Sequence, residues 1–133
     1  MNRRAFMQLS LVGAATLSVP LLTCKNRNPA MKNPLAFPVF LAGICDDKTI
    51  HEIGEDYQKQ LAQNSSKEYL EKFLLTDISG NTLSSDSPKS LLFQMLDLKT
   101  HKDFEKENTV FVKGWVLAKT EACQCAFFAL TSK

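Results

Sequence analysis

Few residues of this chain have the type and spacing to do chemistry. Cys123-Gln124-Cys125 is the one tight cysteine pair, and Cys24 and Cys45 complete the set. A catalytic thiol needs a base beside it. The two histidines, His51 and His101, are not placed by the sequence to serve one. His51 sits on a helix beside Glu52 and His101 lies between Thr100 and Lys102; each reads as a solvated surface group, without the spacing of a metal site. Asp46-Asp47 has the look of paired carboxylates, but it stands just before a helix start, where acids favour the helix dipole. Asp103, Glu105 and Glu107 alternate with lysines and read as a solvated face. A dinucleotide fingerprint and a c-type haem attachment motif are both missing. The sequence therefore predicts no catalytic residue, no metal site and no cofactor bound directly.

The first 24 residues carry a different message. Arg3-Arg4 precedes Phe6, an apolar stretch runs from Leu9 to Leu22, and Cys24 closes it. A basic start, an apolar middle and a small-residue exit are the parts of an export signal. The adjacent arginines mark the twin-arginine type, which carries proteins across a membrane already folded. Gln8, Ser10, Gly13, Thr16, Ser18 and Pro20 interrupt the run, which argues against a permanent span. Leu21-Leu22-Thr23-Cys24 resembles a lipobox, which would make Cys24 a lipidation site. Residues 1–23 are thus expected to be a signal peptide. The polar, proline-punctuated residues 24–34 are expected to be a tether, and residues 35–133 a domain. The place of action is the periplasmic side of a bacterial membrane, held there by lipid or by the signal itself.

Charge removes another class. Taking Arg3 and Arg4 from the sixteen basic residues leaves fourteen, against fourteen acids, so the mature part carries no net charge. Arg27 is its only arginine, and the lysines are spread out. Nucleic-acid binding needs basic residues gathered on one face, so no nucleic acid is expected as a partner.

The elements that position these residues follow from periodicity and capping. Leu35–Cys45 reads as a buried first helix starting near Pro38. Thr49-Ile50-His51-Glu52 fits a capping box, and Ile50, Ile53, Tyr57 and Leu61 form one apolar stripe behind it. Gly54 weakens that helix by about 1 kcal/mol relative to Ala. Ser65-Ser66-Lys67-Glu68 is a second capping box, before Tyr69, Leu70, Phe73 and Leu74. Asp77–Ser87 is loop. Ser87-Pro88 opens a helix burying Leu91, Leu92, Met95 and Leu96, with a break near Thr100 and a restart at Asp103. Thr109–Val112 and Trp115–Leu117 form an extended segment near 109–117, open to closure as a hairpin at Lys113-Gly114. A last helix runs from Lys119 to about Leu130. The expected fold is an all-α bundle of about five helices. A disulfide is permitted outside the cytoplasm, which leaves open a bond from Cys45 to Cys123 or Cys125. Buried thiols acting as small apolar residues are the favoured alternative.

The ordered set resembles a known family. A twin-arginine signal is followed by Ile44-Cys45-Asp46, then Thr49-Ile50-His51-Glu52-Ile53-Gly54, then Lys113-Gly114-Trp115-Val116-Leu117-Ala118-Lys119-Thr120-Glu121-Ala122. This is similar to the small subunit of membrane-associated flavin-dependent sugar and polyol dehydrogenases, of the gluconate 2-dehydrogenase subunit 3 and sorbitol dehydrogenase small-subunit kind. The resemblance implies a non-catalytic accessory subunit. Its partners would be a large subunit that holds FAD and, where present, a cytochrome c subunit that takes the electrons. The twin-arginine translocase would export the complex. The partner interface is expected at Trp115, Val116, Leu117 and Glu121, with the last helix. Ala118 departs from the pattern, because a serine would cap the last helix better. A free-standing exported lipoprotein with a structural or binding role is the rival reading, and a small redox protein using Cys45, Cys123 and Cys125 is a third.

Overall fold

The structure is a computed structural model that describes residues 33–132. Arg3, Arg4, Phe6, Cys24 and the tether as far as Lys32 lie outside the described residues. The packed domain is already under way at Pro34, which is buried in a single 3-10 turn, Pro34–Ala36, capped by the Asn33 side chain.

Five helices and one β-ribbon follow: α1 Val39–Ala42, α2 Asp47–Leu61, α3 Lys67–Leu75, α4 Lys89–Glu105, β1 Thr109–Val112, β2 Trp115–Ala118 and α5 Lys119–Thr131. The protein is thus mostly helical but not strictly all-α, because β1 and β2 pair as an antiparallel hairpin. Lys113 and Gly114 both sit at positive φ, 49° and 85°. That is the conformation a two-residue hairpin loop needs to match the strand twist.

The last helix is the axis of the fold. Its residues Thr120 to Phe127 are all buried, and so is Ala129. A helix enclosed on every side must be made of residues that let neighbours come close, and α5 supplies Ala122, Cys123, Cys125, Ala126 and Ala129. α2 lies along it, with Ile50, Ile53, Gly54 and Tyr57 facing inward. At their crossing the two backbones nearly touch. A Cβ added at Gly54 would lie 2.0 Å from the Cys125 carbonyl oxygen and 2.5 Å from its carbon. Gly54 is therefore the residue that permits the main helix contact, and the local propensity it sacrifices is the smaller effect.

Helix starts differ from the sequence reading by a few residues, each for a visible reason. α2 begins earlier than the Thr49 box implies, because Asp46 Oδ1 accepts the Thr49 N–H at 2.9 Å and acts as the cap. α3 is capped by Ser66, which accepts from Tyr69 N–H at 3.1 Å. Pro88 itself, not Ser87, precedes the first turn of α4, with no side-chain cap. α1 has only four residues. Leu41 and Ala42 are buried, while Val39 and Phe40 are exposed, so the expected buried first helix is buried on one side alone.

α4 runs unbroken through Thr100, whose hydroxyl donates to the Leu96 carbonyl at 2.9 Å. The inward series is Leu92, Met95, Leu96 and Lys99. A lysine at the fourth place hides the period from a reader of hydropathy, which is why a break was expected. α4 ends in a Schellman motif. Glu107 sits at φ 56°, its N–H donates to Phe104 O at 3.2 Å, and Asn108 N–H donates to Asp103 O at 2.7 Å. This reversal feeds the chain directly into β1.

Ala118 cannot cap α5, and the missing cap comes from another helix. Asp103 Oδ2 accepts both the Thr120 N–H at 2.8 Å and the Thr120 hydroxyl at 2.6 Å. Glu121 reaches back to the Ala118 N–H at 3.1 Å. Asp103 is therefore half-buried and structural, not one more acid on a solvated face.

Two outcomes follow for stability. Gly54→Ala should destabilise the protein by about 2–3 kcal/mol or more, as overpacking does, although an open helix would gain about 1 kcal/mol from it. A denaturant titration showing a raised midpoint would disprove the close crossing. Asp103→Ala should cost about 1–3 kcal/mol, because it leaves two buried donors of Thr120 without a partner. Equal stability of this variant and wild type in thermal unfolding would mean that α5 is capped by another route.

Candidate functional site

The hairpin is built with one face inward and one outward. Register pairs Val110 with Leu117 and Val112 with Trp115, and pairs Phe111 with Val116. Val112 and Leu117 are buried, and Val110 and Trp115 pack half-buried against the core. The alternate face carries Phe111 and Val116, 66% and 62% exposed. Cross-strand neighbours of this kind lie within contact of each other, so they form a joint apolar surface. The ribbon is fixed from both sides: Gln60 of α2 donates to the Phe111 carbonyl at 3.0 Å, and Lys119 N–H donates to the Asn108 carbonyl at 3.1 Å.

The four residues expected at a partner interface are thus divided. Val116 is exposed and Trp115 is half-buried, whereas Leu117 and Glu121 are 3% and 4% exposed and belong to the interior. α5 is buried from Thr120 to Phe127, and Phe128 and Leu130 near its end are half-buried. Phe111, which the sequence reading took only as a strand residue, is the larger half of the outward pair. Its signal was available: a two-residue loop at Lys113-Gly114 places Phe111 opposite Val116.

Beneath the hairpin lies a polar cluster. Lys99, only 8% exposed, donates from Nζ to the Phe73 carbonyl at 2.5 Å and sits 4.2 Å from the centroid of the Phe73 ring. Lys119 Nζ lies 5.0 Å from the same centroid. Cations over an aromatic face are attracted by its quadrupole. Burial nevertheless lowers the Lys99 amine to about 8 from its ordinary 10.5, against the pull of Cys123, Asp103 and Asp77. The Cys123 thiol is pushed by burial up to about 11, although Lys119 and Lys99 act to lower it, and it shares a hydrogen bond with the buried Tyr57 hydroxyl. Burial also raises the Tyr57 hydroxyl well above its usual range. Burial raises the Glu121 carboxyl too, opposed by the Ala118 N–H it accepts.

Among the described residues Cys45, Cys123 and Cys125 are thiols. Burial holds Cys125 strongly protonated, and Cys45 lies near enough to add to that effect. Thiols react as thiolates, so Cys123 and Cys125 have the environment of core groups. Gln124 between them is buried and donates to the carbonyls of Pro34 at 2.9 Å and Phe37 at 3.2 Å, tying the start of the domain to its axis. His51 is partly covered, with Nδ1 3.8 Å from Glu55 and its ring edge-on to Phe128. His101 Nδ1 lies 2.9 Å from the Asp97 carbonyl oxygen on the surface. Among the described residues no group of three or more His, Cys, Asp or Glu is gathered as metal ligands would be. No helix of the described residues is long and apolar enough to cross a membrane.

The chain matches no protein family, and neither a curated protein nor a solved structure shows detectable similarity to it.

The pH dependence of Lys99 can be isolated. Between about pH 8 and 10.5 the unfolded chain keeps a proton on Lys99 that the folded chain has released, so rising pH favours folding across that window. Cys123 works the other way, because an unfolded thiol ionises near 9 while the buried one stays protonated to about 11. The Lys99 effect is therefore the difference from Lys99→Met. The stability advantage of the variant should be largest below pH 8 and should shrink by on the order of 3 kcal/mol as pH approaches 10.5. Parallel curves for the two proteins would mean that Lys99 titrates as it does in water.

Proposed function

We propose that this chain is a non-catalytic accessory subunit that binds a large flavin-dependent sugar or polyol dehydrogenase and accompanies it through twin-arginine export to the periplasmic side of the membrane. The observation that carries the reading is the outward Phe111–Val116 pair. A rigid ribbon with two large apolar side chains facing solvent is suited to burial against a partner. The residues that resemble the small dehydrogenase subunits, Lys113 to Val116, build the same ribbon. The Arg3-Arg4 start supplies the export signal that a folded partner needs. FAD would be held by the partner, and the buried, protonated thiols of Cys123 and Cys125 favour this reading over a redox role for that pair.

The test is purification of the tagged full-length chain from native membranes, with an absorbance scan for flavin. Wild type should carry a near-stoichiometric large partner that shows flavin absorbance. Phe111→Asp with Val116→Asp should lose at least nine-tenths of that partner while its melting temperature stays within a few degrees, because both side chains point outward. A wild-type protein that elutes alone and colourless, under conditions that keep other membrane complexes intact, would defeat the proposal in favour of a free-standing exported lipoprotein.

A further inference from the structure

A cleft of about 250 Å³ opens between the end of α3, the turn after it and the C-terminal half of α4. Lys99, Lys102 and Lys106 line it from α4, with Phe73, Asp77 and Asp103. The lysines recur at steps of three and four, so they share one side of the helix. We propose that this cleft is a binding site for a small oxyanion, a phosphate or carboxylate compound smaller than a nucleotide.

The two acids in the wall are already committed. Asp77 Oδ1 accepts the N–H groups of Ser79 and Asn81, both at 2.9 Å. Asp103 Oδ2 holds Thr120, and its Oδ1 accepts from Asn108 Nδ2 at 3.2 Å. These contacts hold both carboxylates in place without removing their charge, and Lys99, Lys102 and Lys106 against Asp77 and Asp103 leave the lining with one positive charge in excess and with lysine donors unused. Lys102 has only a solvent-exposed carboxylate, Glu105, at 3.3 Å, a contact of little strength. Lys99 uses one of its three N–H donors on the Phe73 carbonyl. It is a cation held out of water, with a carbonyl dipole and a ring face as its near partners and the field of Asp103 and Asp77 acting on it from the same wall, and an anion in the cleft would be shared between it and the other two lysines. Its amine is protonated at neutral pH, since it loses its proton only near 8. Lys119, whose Nζ lies 5.0 Å from the centroid of the same Phe73 ring, adds to the positive field. A lysine stripe on a surface helix is ordinary, but a stripe ending in a buried lysine at the wall of a cleft is the arrangement of an anion site. This inference is independent of the docking surface on the hairpin.

The experiment is a titration of the isotope-labelled full-length chain, in separate arms, with inorganic phosphate, malonate and, as an ionic-strength control, sodium chloride. Saturable resonance shifts confined to Phe73, Asp77, Lys99 and Asn108 are expected at millimolar phosphate, malonate or both, and the arm that saturates names the oxyanion. Lys102→Gln with Lys106→Gln, on the exposed side of the stripe, should weaken binding at least tenfold while the hairpin resonances stay in place. Lys99→Met should abolish it. Shifts that never saturate, that follow the chloride arm, or that persist unchanged in the Lys102→Gln, Lys106→Gln protein would overturn the proposal.

Discussion

Two helix backbones come nearly into contact at Gly54 of α2 and Cys125 of α5, and the rest of the architecture depends on that crossing. There is no room for a Cβ at that crossing. Because the helices meet so closely, α5 can be wrapped from all sides and its small residues become the centre of the core. Tyr57, one turn beyond Gly54, is brought to Cys123. The remaining elements close around this pair: α3 and α4 cover further sides of α5, and the segment from Pro34 to Phe37 is bound to Gln124 by two hydrogen bonds.

A helix enclosed in this way has costly ends, because unpaired N–H groups in its first turn cannot turn to water. The cap that α5 lacks in its own sequence comes from Asp103, seventeen positions earlier in the chain. The same carboxylate fixes Asn108, at the point where α4 reverses into β1. One side chain thus connects the end of α4, the start of the hairpin and the start of the axial helix. The outward pair on the ribbon is held in place by what happens underneath it, and the Lys99 cleft lies against the same joint.

Much of this was legible beforehand. The helical stripes of α2 and α3, the turn at Lys113-Gly114 and the loop after Asp77 follow from local chemistry that a sequence displays. The cap positions were misread by one to three residues, because neighbouring acids and hydroxyls compete for the same N–H groups: Asp46 prevails over Thr49, and Ser66 over Ser65. Three misreadings have a deeper cause. Gly54 reads as a weak point, Asp103 as a solvated acid and the stretch near Thr100, next to the buried Lys99, as a helix break. Each is defined by a residue far away in the chain.

The sequence by itself determined the largely helical content and the turn residues at Lys113-Gly114, because periodicity and turn chemistry act within a few positions. Only the tertiary structure decided which faces meet. It drew Leu117 and Glu121 inside, left Phe111 and Val116 outside, lent Asp103 to a distant helix and buried the Lys99 amine at the wall of a cleft. Burial and long-range hydrogen bonding are properties of the assembled core, and they reverse what a residue's own type and its nearest neighbours suggest.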